Sequence, residues 1–463
     1  MTQNEVLDIL KTGANVFLTG EPGAGKTHAI NQYVSYLRAR NIEPAITAST
    51  GIASTHIGGM TIHSWSGIGI KENLTKYDLD KISNSEYLNR RISKIKVLII
   101  DEVSMLRSET LSMVDAVCRE VRQNPEPFGG VQVVLVGDFF QLPPIDKKVF
   151  EKVMQNSLIE VDNQEKVRFA FESESWRRLC PVVCYLTEQH RQNDADFLSV
   201  LSAIRSGNVE DVHVKHINSR LSSLNDLGQI IDDVPRLFSR NINVDQMNNE
   251  MLSKIREGSK YFAMVADGNE ILISSLKKGC LSPENLELKI GSVVMCTKNN
   301  PKERFVNGTL GKVVEFQELT GYPIIKTENG RNIIVAPMDW SVEENGKIKA
   351  KITQVPLRLA WAITVHKSQG MSMDSAVMDL SDVFEYGQGY VALSRVRCLS
   401  GLHILGINER ALQVHPHILA KDGDFRRDSE NAFEVFSKIS KEESEKMRKN
   451  FIIASGGKWK KEK

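Results

Sequence analysis

The sequence predicts an α/β protein with two parallel-sheet cores and a small all-β insert in the second core. At 463 residues the chain is long for one core, because domains usually have about 100–200 residues. Short apolar runs rich in Val and Ile alternate with longer helical stretches in two separate parts of the chain. Between the pieces of the second part, short alternating strands are separated by Asn-Gly turns, which indicate hairpins.

Five apolar runs define the first core, predicted over residues 1–190. They are NVFLTG (15–20), PAITAST (44–50), VLIID (97–101), VVLVGD (133–138) and VVCYLTEQ (182–189). Buried strands separated by helices form parallel sheets, and such sheets bind ligands at the carboxyl ends of their strands. The polar segment at about 66–95 is predicted to be an excursion from this core.

The second core is predicted over residues 191–285 and 357–430, and the all-β insert over 286–356. The runs of this core are PRLFSR (235–240), LAWAITVH (359–366), SAVMDL (375–380) and LHILGI (402–407). Residues 431–463 are predicted to be a C-terminal basic tail, because positions 446–463 contain seven Lys and Arg residues and only one Glu. For that tail, a solvated end is favoured over a nucleic-acid contact.

Composition and charge restrict the class of protein. The formal net charge is +1, so any basic surface must be local. The six cysteines are scattered without a CxxC pair, which is typical of reduced thiols in an intracellular protein. The amino-terminal residues carry no basic region of a signal peptide, and no apolar run reaches about 18 residues. We therefore expect a cytoplasmic protein without a membrane span.

The segment GEPGAGKT follows a strand and opens a helix, which is the context of a phosphate-binding P-loop. Glycines let backbone N–H groups turn toward phosphates, a lysine adds charge at the terminal phosphates, and a threonine hydroxyl can ligate Mg²⁺. The predicted nucleotide-binding residues of this loop are Gly20, Pro22, Gly23, Ala24, Gly25, Lys26 and Thr27.

Two adjacent carboxylates end the apolar run of VLIIDEVSM. Asp101, with Thr27, is predicted to hold Mg²⁺, and Glu102 to activate water for NTP hydrolysis. The second core has no P-loop, which suggests that one nucleotide lies between two cores and receives a cation in trans. Arg191 and Arg395 are the candidates, and a surface salt bridge is the alternative for each.

Eight segments together resemble the petite-integration-frequency (PIF) family of superfamily 1B helicases, which move 5′ to 3′ on single-stranded DNA. In order, they are the P-loop, TASTGIAS, TIHSWSGIG, LIIDEVSML, PFGGVQVVLVGDFFQLPPI, LTEQHRQND, TVHKSQG and GYVALSRVR. The resemblance extends from Gln3 to about Leu402, but stretches 66–95 and 205–285 carry little of it. It implies two RecA-like cores, a wedge at 66–95, an SH3-like module at 286–356, and ATP with Mg²⁺ as cofactors.

The resemblance also implies roles for individual residues. Gln3 resembles the family's adenine-reading glutamine, Gln141 resembles the residue that senses the terminal phosphate, and Arg191 and Arg395 resemble the trans arginines. Gly370 of TVHKSQG is expected at the nucleotide. The expected DNA contacts are Thr50, Gly51, Thr61, His63 and Ser64 in the first core, and Thr364, His366, Lys367 and Ser368 in the second.

Some interpretations stay open at the level of sequence. Trp65 could stack on a base or pack in the core, and Gly389 stands where the family pattern favours alanine. The expected partners are single-stranded DNA and forked or tailed duplexes, bound by a monomer. The alternatives are a RecD-like subunit active only within a nuclease complex and a P-loop ATPase with a partner other than nucleic acid. Stimulation of ATP hydrolysis by DNA discriminates against the last of these.

Overall fold

The chain forms two compact units in this computed structural model. The first comprises Met1–Thr50, Gly59–Arg191 and Pro416–Lys463, and the second comprises Gly51–Gly58 and Gln192–His415. The structure describes residues 1–50, 53–54, 59–69, 71–144, 168–188, 194–222, 234–239, 244–300, 302–305, 307–327, 330–344, 347–369, 371 and 373–460.

A six-stranded parallel sheet forms the centre of the first unit. Its strands are β1 (Val16–Gly20), β2 (Ala45–Ala48), β3 (Met60–Thr61), β4 (Val97–Asp101), β5 (Gln132–Val136) and β6 (Val182–Leu186). The order β3-β2-β4-β5-β1-β6 places the strand that leads to the P-loop between β5 and β6. The five predicted strands are confirmed. The edge strand β3 was not predicted, because two residues are too short to show a hydrophobic period.

The helices of this part of the chain are α1 (Gln3–Lys11), α2 (Lys26–Arg38), α3 (Ile62–Ser66), α4 (Lys76–Ser83), α5 (Glu86–Lys94), α6 (Ser108–Arg122) and α7 (Glu174–Leu179). Capping boxes start α1 at Thr2 and α4 at Thr75. The polar stretch 66–95 therefore contains two short helices, and each buries one isoleucine, Ile82 or Ile92. Within the described ranges, no helix has the length and apolar character needed to cross a membrane.

The second unit contains a parallel sheet and several antiparallel ones. Its strands are β7 (Arg236–Phe238), β8 (Lys260–Ala263), β9 (Val265–Gly268), β10 (Asn285–Leu288), β11 (Val293–Cys296), β12 (Leu310–Phe316), β13 (Pro323–Thr327), β14 (Asn332–Ile334), β15 (Met338–Glu344), β16 (Lys347–Gln354), β17 (Leu357–Leu359), β18 (Ala362–Thr364), β19 (Ala376–Leu380) and β20 (Leu402–Ile407). Its helices are α8 (Ala195–Ser206), α9 (Asp211–Asn218), α10 (Val244–Lys254), α11 (Glu270–Gly279) and α12 (Gln388–Leu393).

The parallel sheet of the second unit has the order β18-β7-β19-β20, and its four strands are the four predicted apolar runs. The antiparallel strands form the sheets β14-β13-β12-β11-β17 and β15-β16-β9 and the pair β10-β8. The antiparallel region extends beyond the predicted insert, 286–356, because β8, β9 and β17 also pair with it. These strands were not assigned to the insert because their pairing partners lie far away in sequence.

The carboxyl-terminal part of the chain corrects two predicted boundaries. Residues 416–430 were assigned to the second core and 431–463 to a basic tail, but all of them belong to the first unit. They form α13 (Pro416–Ser437) and α14 (Lys441–Ala454). The high charge from position 446 onward suggested a solvated end, yet Ile452 is fully buried there. In α13, Phe425 is 5% exposed. A few large apolar side chains on a charged helix are enough to hold it on a core.

Candidate active site

The P-loop lies between the end of β1 and the start of α2. Gly25 precedes α2 with φ of 88° and no side-chain cap, so backbone N–H groups at the helix start face the loop. The Nζ of Lys26 donates to the carbonyl oxygens of Gly20 (2.7 Å) and Glu21 (3.0 Å). The side chain of Thr27 is exposed. The loop thus joins a helix terminus, an ammonium group and a hydroxyl, as the sequence predicts.

The structure places Gln3, at the start of α1, directly on this loop. Its Nε2 donates to the Ala24 carbonyl at 3.4 Å, and a Cβ added to Gly25 would lie 2.0 Å from the same Nε2. The Gln3 backbone N–H donates to Glu188 Oε2 at 3.0 Å. Glu188 was missed from the sequence, where the only signal is an acidic residue just after β6.

Asp101 and Glu102 lie at the carboxyl end of β4. The N–H of Glu102 donates to Asp101 Oδ1 at 2.8 Å, and the Ser49 hydroxyl donates to the Glu102 carbonyl at 2.7 Å. Burial raises the pKa of the Asp101 carboxyl, whereas the bond from Glu102 and the charge of Lys26 act in the opposite direction. Lys26 is therefore electrostatically coupled to Asp101, although β5 separates β1 from β4 in the sheet.

Glu102 has a left-handed backbone conformation, with φ of 53° and ψ of 46°. A residue other than glycine in this region costs about 1–3 kcal/mol, and such residues are concentrated at active sites. The hydrogen bond from Ser49 and the following 3₁₀ turn, Val103–Met105, hold it there. The strain is consistent with a carboxylate that is held in a fixed orientation for catalysis.

Gln141 lies in the loop that follows β5, and its amide group contacts a buried aspartate. Its Nε2 donates to Asp138 Oδ2 at 3.4 Å, and its backbone N–H donates to the Asp138 carbonyl at 3.0 Å. Asp138 is fully buried and also accepts from the Phe140 N–H at 3.2 Å. Asp138 was not among the predicted site residues, although an acid directly after a buried strand is a recognisable signal.

The first unit brings together most of its predicted DNA contacts. The register pairs Ala48 with Thr61, so the carboxyl ends of β2 and β3 adjoin. The Thr61 hydroxyl caps α3 and accepts from the Ser64 N–H at 3.2 Å. Trp65 is only 3% exposed, which decides the open question in favour of core packing. Thr50 and His63 are half-buried, and Gly51 lies outside the described residues.

In the second unit, the predicted DNA contacts lie at the end of β18 and in the turn that follows it. Thr364 and Ser368 are buried, and the Ser368 hydroxyl donates to the Val365 carbonyl at 2.8 Å. The Ser368 hydroxyl thus stabilises the turn, and neither side chain is presented at the surface of the unit. His366 remains accessible, and its Nε2 lies 3.5 Å from Oε2 of Glu385. The side chain of Lys367 and all of Gly370 are outside the described part of the chain.

Arg395 is 1% exposed, although it was predicted to reach toward a phosphate. Its Nε donates to the Val391 carbonyl at 2.9 Å, and its Nη1 is 3.4 Å from the carbonyls of Ser368 and Met371. The guanidinium therefore links α12 to the turn that carries His366, and it reaches a ligand only if these bonds break. Arg191, the other predicted cation, lies outside the described residues.

Close packing explains why residue 389 in α12 is a glycine. A Cβ at this position would lie 2.0 Å from the carbonyl oxygen of Ala411, because α12 packs directly on that backbone. The departure from the family pattern thus coincides with a close helix contact. Since α12 leads into Arg395, this contact also fixes the start of the Arg395 segment.

A parallel sheet with a P-loop and a carboxylate pair, joined in one chain to a second parallel sheet, defines a P-loop NTPase with two RecA-like cores. The model of the PIF1-like helicase family matches residues 2–215, and that of the DNA helicase Pif1 2B domain matches residues 272–316. The chain therefore belongs to the PIF1-like helicase family. The family's enzymes are ATP-dependent DNA helicases.

Individual relatives and solved structures agree with this assignment. The ATP-dependent DNA helicase Pif1 of Psychrobacter sp. is 39% identical, over 99% of this chain and 75% of the relative. That of Bdellovibrio bacteriovorus is 36% identical, over 90% of each chain. The Bacteroides sp. Pif1 structure with ADP-AlF4 has a TM-score of 0.76 at 29% identity and covers 92% of this chain and 96% of its own. The single-stranded DNA complex of Bacteroides Pif1 has a TM-score of 0.62 at 30% identity, with coverages of 93% and 97%.

Proposed function

We propose that this protein couples ATP hydrolysis to 5′-to-3′ movement on single-stranded DNA and thereby unwinds forked or tailed duplexes. The observation that carries the proposal is the convergence of Gln3, Lys26 and the Asp101–Glu102 pair at one edge of a parallel sheet. The family assignment supports the substrate and the direction. An intracellular, cytoplasmic location and action as a monomer are parts of the same proposal.

The residues of the P-loop fit a nucleoside triphosphate with Mg²⁺. Gly25 has a conformation that favours glycine and sits at the amino terminus of a 13-residue helix, where partial positive charge attracts phosphates. Lys26 would neutralise the terminal phosphates, and Thr27 and Asp101 would hold Mg²⁺. When bound, the metal ion neutralises charge that develops on the transferring phosphate.

Glu102 accepts the proton of the attacking water, a role for which the left-handed backbone fixes its carboxylate. Gln141 adjoins this site through the β5 loop and senses the state of the terminal phosphate. Arg191 and Arg395 supply positive charge to the transition state. Since Arg395 donates to the Ser368 carbonyl, withdrawal of its guanidinium toward a phosphate frees the turn that carries His366. This exchange of partners is a physical route from hydrolysis to DNA affinity.

The DNA contacts are proposed to be mainly to phosphates and sugars, which give affinity with little sequence information. In the amino-terminal part of the chain they involve Thr50, Gly51, Thr61, His63 and Ser64. In the second unit they involve His366 and Lys367, since the Thr364 and Ser368 side chains are buried. Helices α4 and α5 are proposed as the wedge, and the five-stranded antiparallel sheet as the SH3-like module, both of which help to separate the strands.

The deciding experiment measures the steady-state ATPase rate with Mg²⁺, with and without poly-dT, for wild type, Lys26→Ala and Lys438→Ala. Lys438 is an exposed control, with a side chain that is 77% accessible. We expect DNA to raise the rate of wild type and control many-fold, and Lys26→Ala to lower kcat by about 100-fold or more. A rate that is indifferent to DNA would favour the ATPase with another partner.

Direction and assembly are tested separately. Duplexes with only a 5′ or only a 3′ tail are mixed with protein and ATP, and we expect strand separation for the 5′-tailed substrate alone. Unwinding of the 3′-tailed substrate would refute the proposed polarity. Light scattering during size exclusion, with and without DNA, should give the mass of one chain per complex. If the purified protein hydrolyses ATP but does not unwind either duplex, the alternative of a RecD-like subunit that is active only within a nuclease complex is favoured.

A further inference from the structure

The C-terminal helix pair, α13 and α14, contacts both elements that hold Gln3. The first contact is between α13 and β6. The Ser429 hydroxyl accepts from the Tyr185 N–H at 2.9 Å, so it pairs one backbone donor of the edge strand β6. The Tyr185 hydroxyl bonds to Asp422 (3.2 Å) and Arg426 (2.8 Å), and the Arg426 guanidinium lies 4.3 Å from the Tyr185 ring centroid.

The anchored end of β6 leads directly to the partner of Gln3. Thr187 donates its N–H to the Met1 carbonyl at 3.3 Å, and Glu188 accepts from the Gln3 N–H at 3.0 Å. Tyr185 therefore precedes Thr187 by two residues and Glu188 by three, and these two residues hydrogen-bond to the start of α1. These covalent and hydrogen bonds connect the backbone of Tyr185 to that of Gln3.

The second contact is between α14 and α1. Arg448 forms an ion pair with Asp8 at 3.1 Å, halfway along α1. The ring of Phe451 packs on Gly13, just after α1, so closely that an added Cβ would lie 2.3 Å from the ring. Ile452 is fully buried in the same cluster as Val6, Leu10 and the apolar side chains of α2. Together, α13 and α14 constrain both ends of α1.

We propose that the C-terminal helix pair positions Gln3 for recognition of adenine, and so sets the preference of this enzyme for ATP over other nucleoside triphosphates. Residues Ser429, Tyr185, Arg448 and Phe451 are positioning residues, since they act through α1 and β6. The proposal rests on the proposed function and on the adenine-reading role that the family resemblance implies for Gln3. Hydrogen bonds to a base discriminate only when donor and acceptor are held in place, so loosening α1 weakens ATP binding selectively.

The test compares KM for ATP and for GTP in the full-length protein at saturating poly-dT. The variants are Ser429→Ala, which removes the acceptor for Tyr185, and Phe451→Ala, which leaves a gap over Gly13. We expect KM for ATP to rise about 3- to 10-fold, the range of one hydrogen bond, with KM for GTP and both kcat values within about twofold of wild type. Lys438→Ala, with its exposed side chain next to α13, should change none of these values.

A second background separates positioning from general destabilisation. In Gln3→Ala protein, the same substitutions should have no further effect on KM for ATP, because the group they position is absent. Equal rises in KM for ATP and GTP, or additive effects in the Gln3→Ala background, overturn the proposal. If Ser429→Ala fails to fold, Tyr185→Phe removes only the hydroxyl contacts to Asp422 and Arg426 and should give a smaller selective rise.

The wild-type control distinguishes this proposal from the function on which it rests. If DNA stimulates hydrolysis but wild type and Gln3→Ala use ATP and GTP equally well, base recognition and the positioning role are both refuted, while the DNA-dependent ATPase stands. If hydrolysis is indifferent to DNA, the proposed function fails, yet a selective change in KM for ATP would still support the role of α13 and α14.

Discussion

Substitution of Gly389 by alanine tests whether α12 packs as tightly as the structure indicates. The new Cβ would lie 2.0 Å from the Ala411 carbonyl oxygen, about 1.4 Å short of the 3.4 Å at which ordinary contact begins. Overpacking of this kind costs about 1–3 kcal/mol, and the better helix propensity of alanine offsets up to about 1 kcal/mol. We therefore expect Gly389→Ala to lower the free energy of unfolding by about 1–2 kcal/mol.

Gly423 provides the matched control, because it is an exposed helical glycine in α13, and no atom of the described residues lies within 4 Å of its added Cβ. Gly423→Ala should stabilise the protein by about 0.5–1 kcal/mol, the opposite sign. Differential scanning calorimetry measures both, since about 2–4 °C of Tm is expected per kcal/mol in units of this size. Because α12 leads into Arg395, Gly389→Ala should also lower DNA-stimulated kcat. A Gly389→Ala protein that melts at or above the wild-type temperature would refute the packing argument.

Three further predictions concern the nucleotide site and the thiols. Glu102→Gln should bind ATP with unchanged affinity but lose about 100-fold or more in kcat, measured by single-turnover hydrolysis; loss of binding instead would contradict its role as base. Gly25→Ala should abolish nucleotide binding in a titration with a fluorescent ATP analogue, because its φ is 88° and the Gln3 amide occupies the Cβ position; retained affinity would show that the loop adjusts. Brief alkylation of native protein should modify exposed Cys180 and spare Cys184, since burial raises the pKa of the Cys184 thiol to about 12. Mass spectrometry identifies the labelled peptide. Early labelling of Cys184 would argue against the packing around this residue.

Local signals account for the parts of the fold and site that the sequence could predict. Apolar runs of Val and Ile become buried strands in both parallel sheets, since a strand covered on both faces needs no polar alternation. The P-loop and the Asp101–Glu102 pair were predictable because their chemistry is contained within a few consecutive residues. Gln3 is a harder case, since its place beside Gly25 depends on how α1 packs.

The parts that were missed depend on partners distant in sequence. The 22-residue α13 buries only Ile418, Phe425 and Ser429, so its composition resembles that of a solvated helix. Ser368 is the exception: it resembles a surface donor in a polar motif, but its hydroxyl donates to the nearby Val365 carbonyl. Arg395 is buried because carbonyl groups from a separate segment accept its hydrogen bonds. No periodicity in the sequence reports such long-range pairing.

The return of α13 to the first unit has a consequence for biosynthesis. Phe425 completes an aromatic cluster with Phe17 and Phe139, at ring-centroid distances of 5.2 and 6.0 Å. Phe425 leaves the ribosome 286 residues after Phe139. Because ribosomes add about 5–20 residues per second, Phe425 is synthesised roughly 15–60 s after Phe139. Residues 192–415, the larger segment of the second unit, emerge during that interval. The aromatic surface around Phe17 is therefore a natural substrate for chaperones that bind exposed apolar segments.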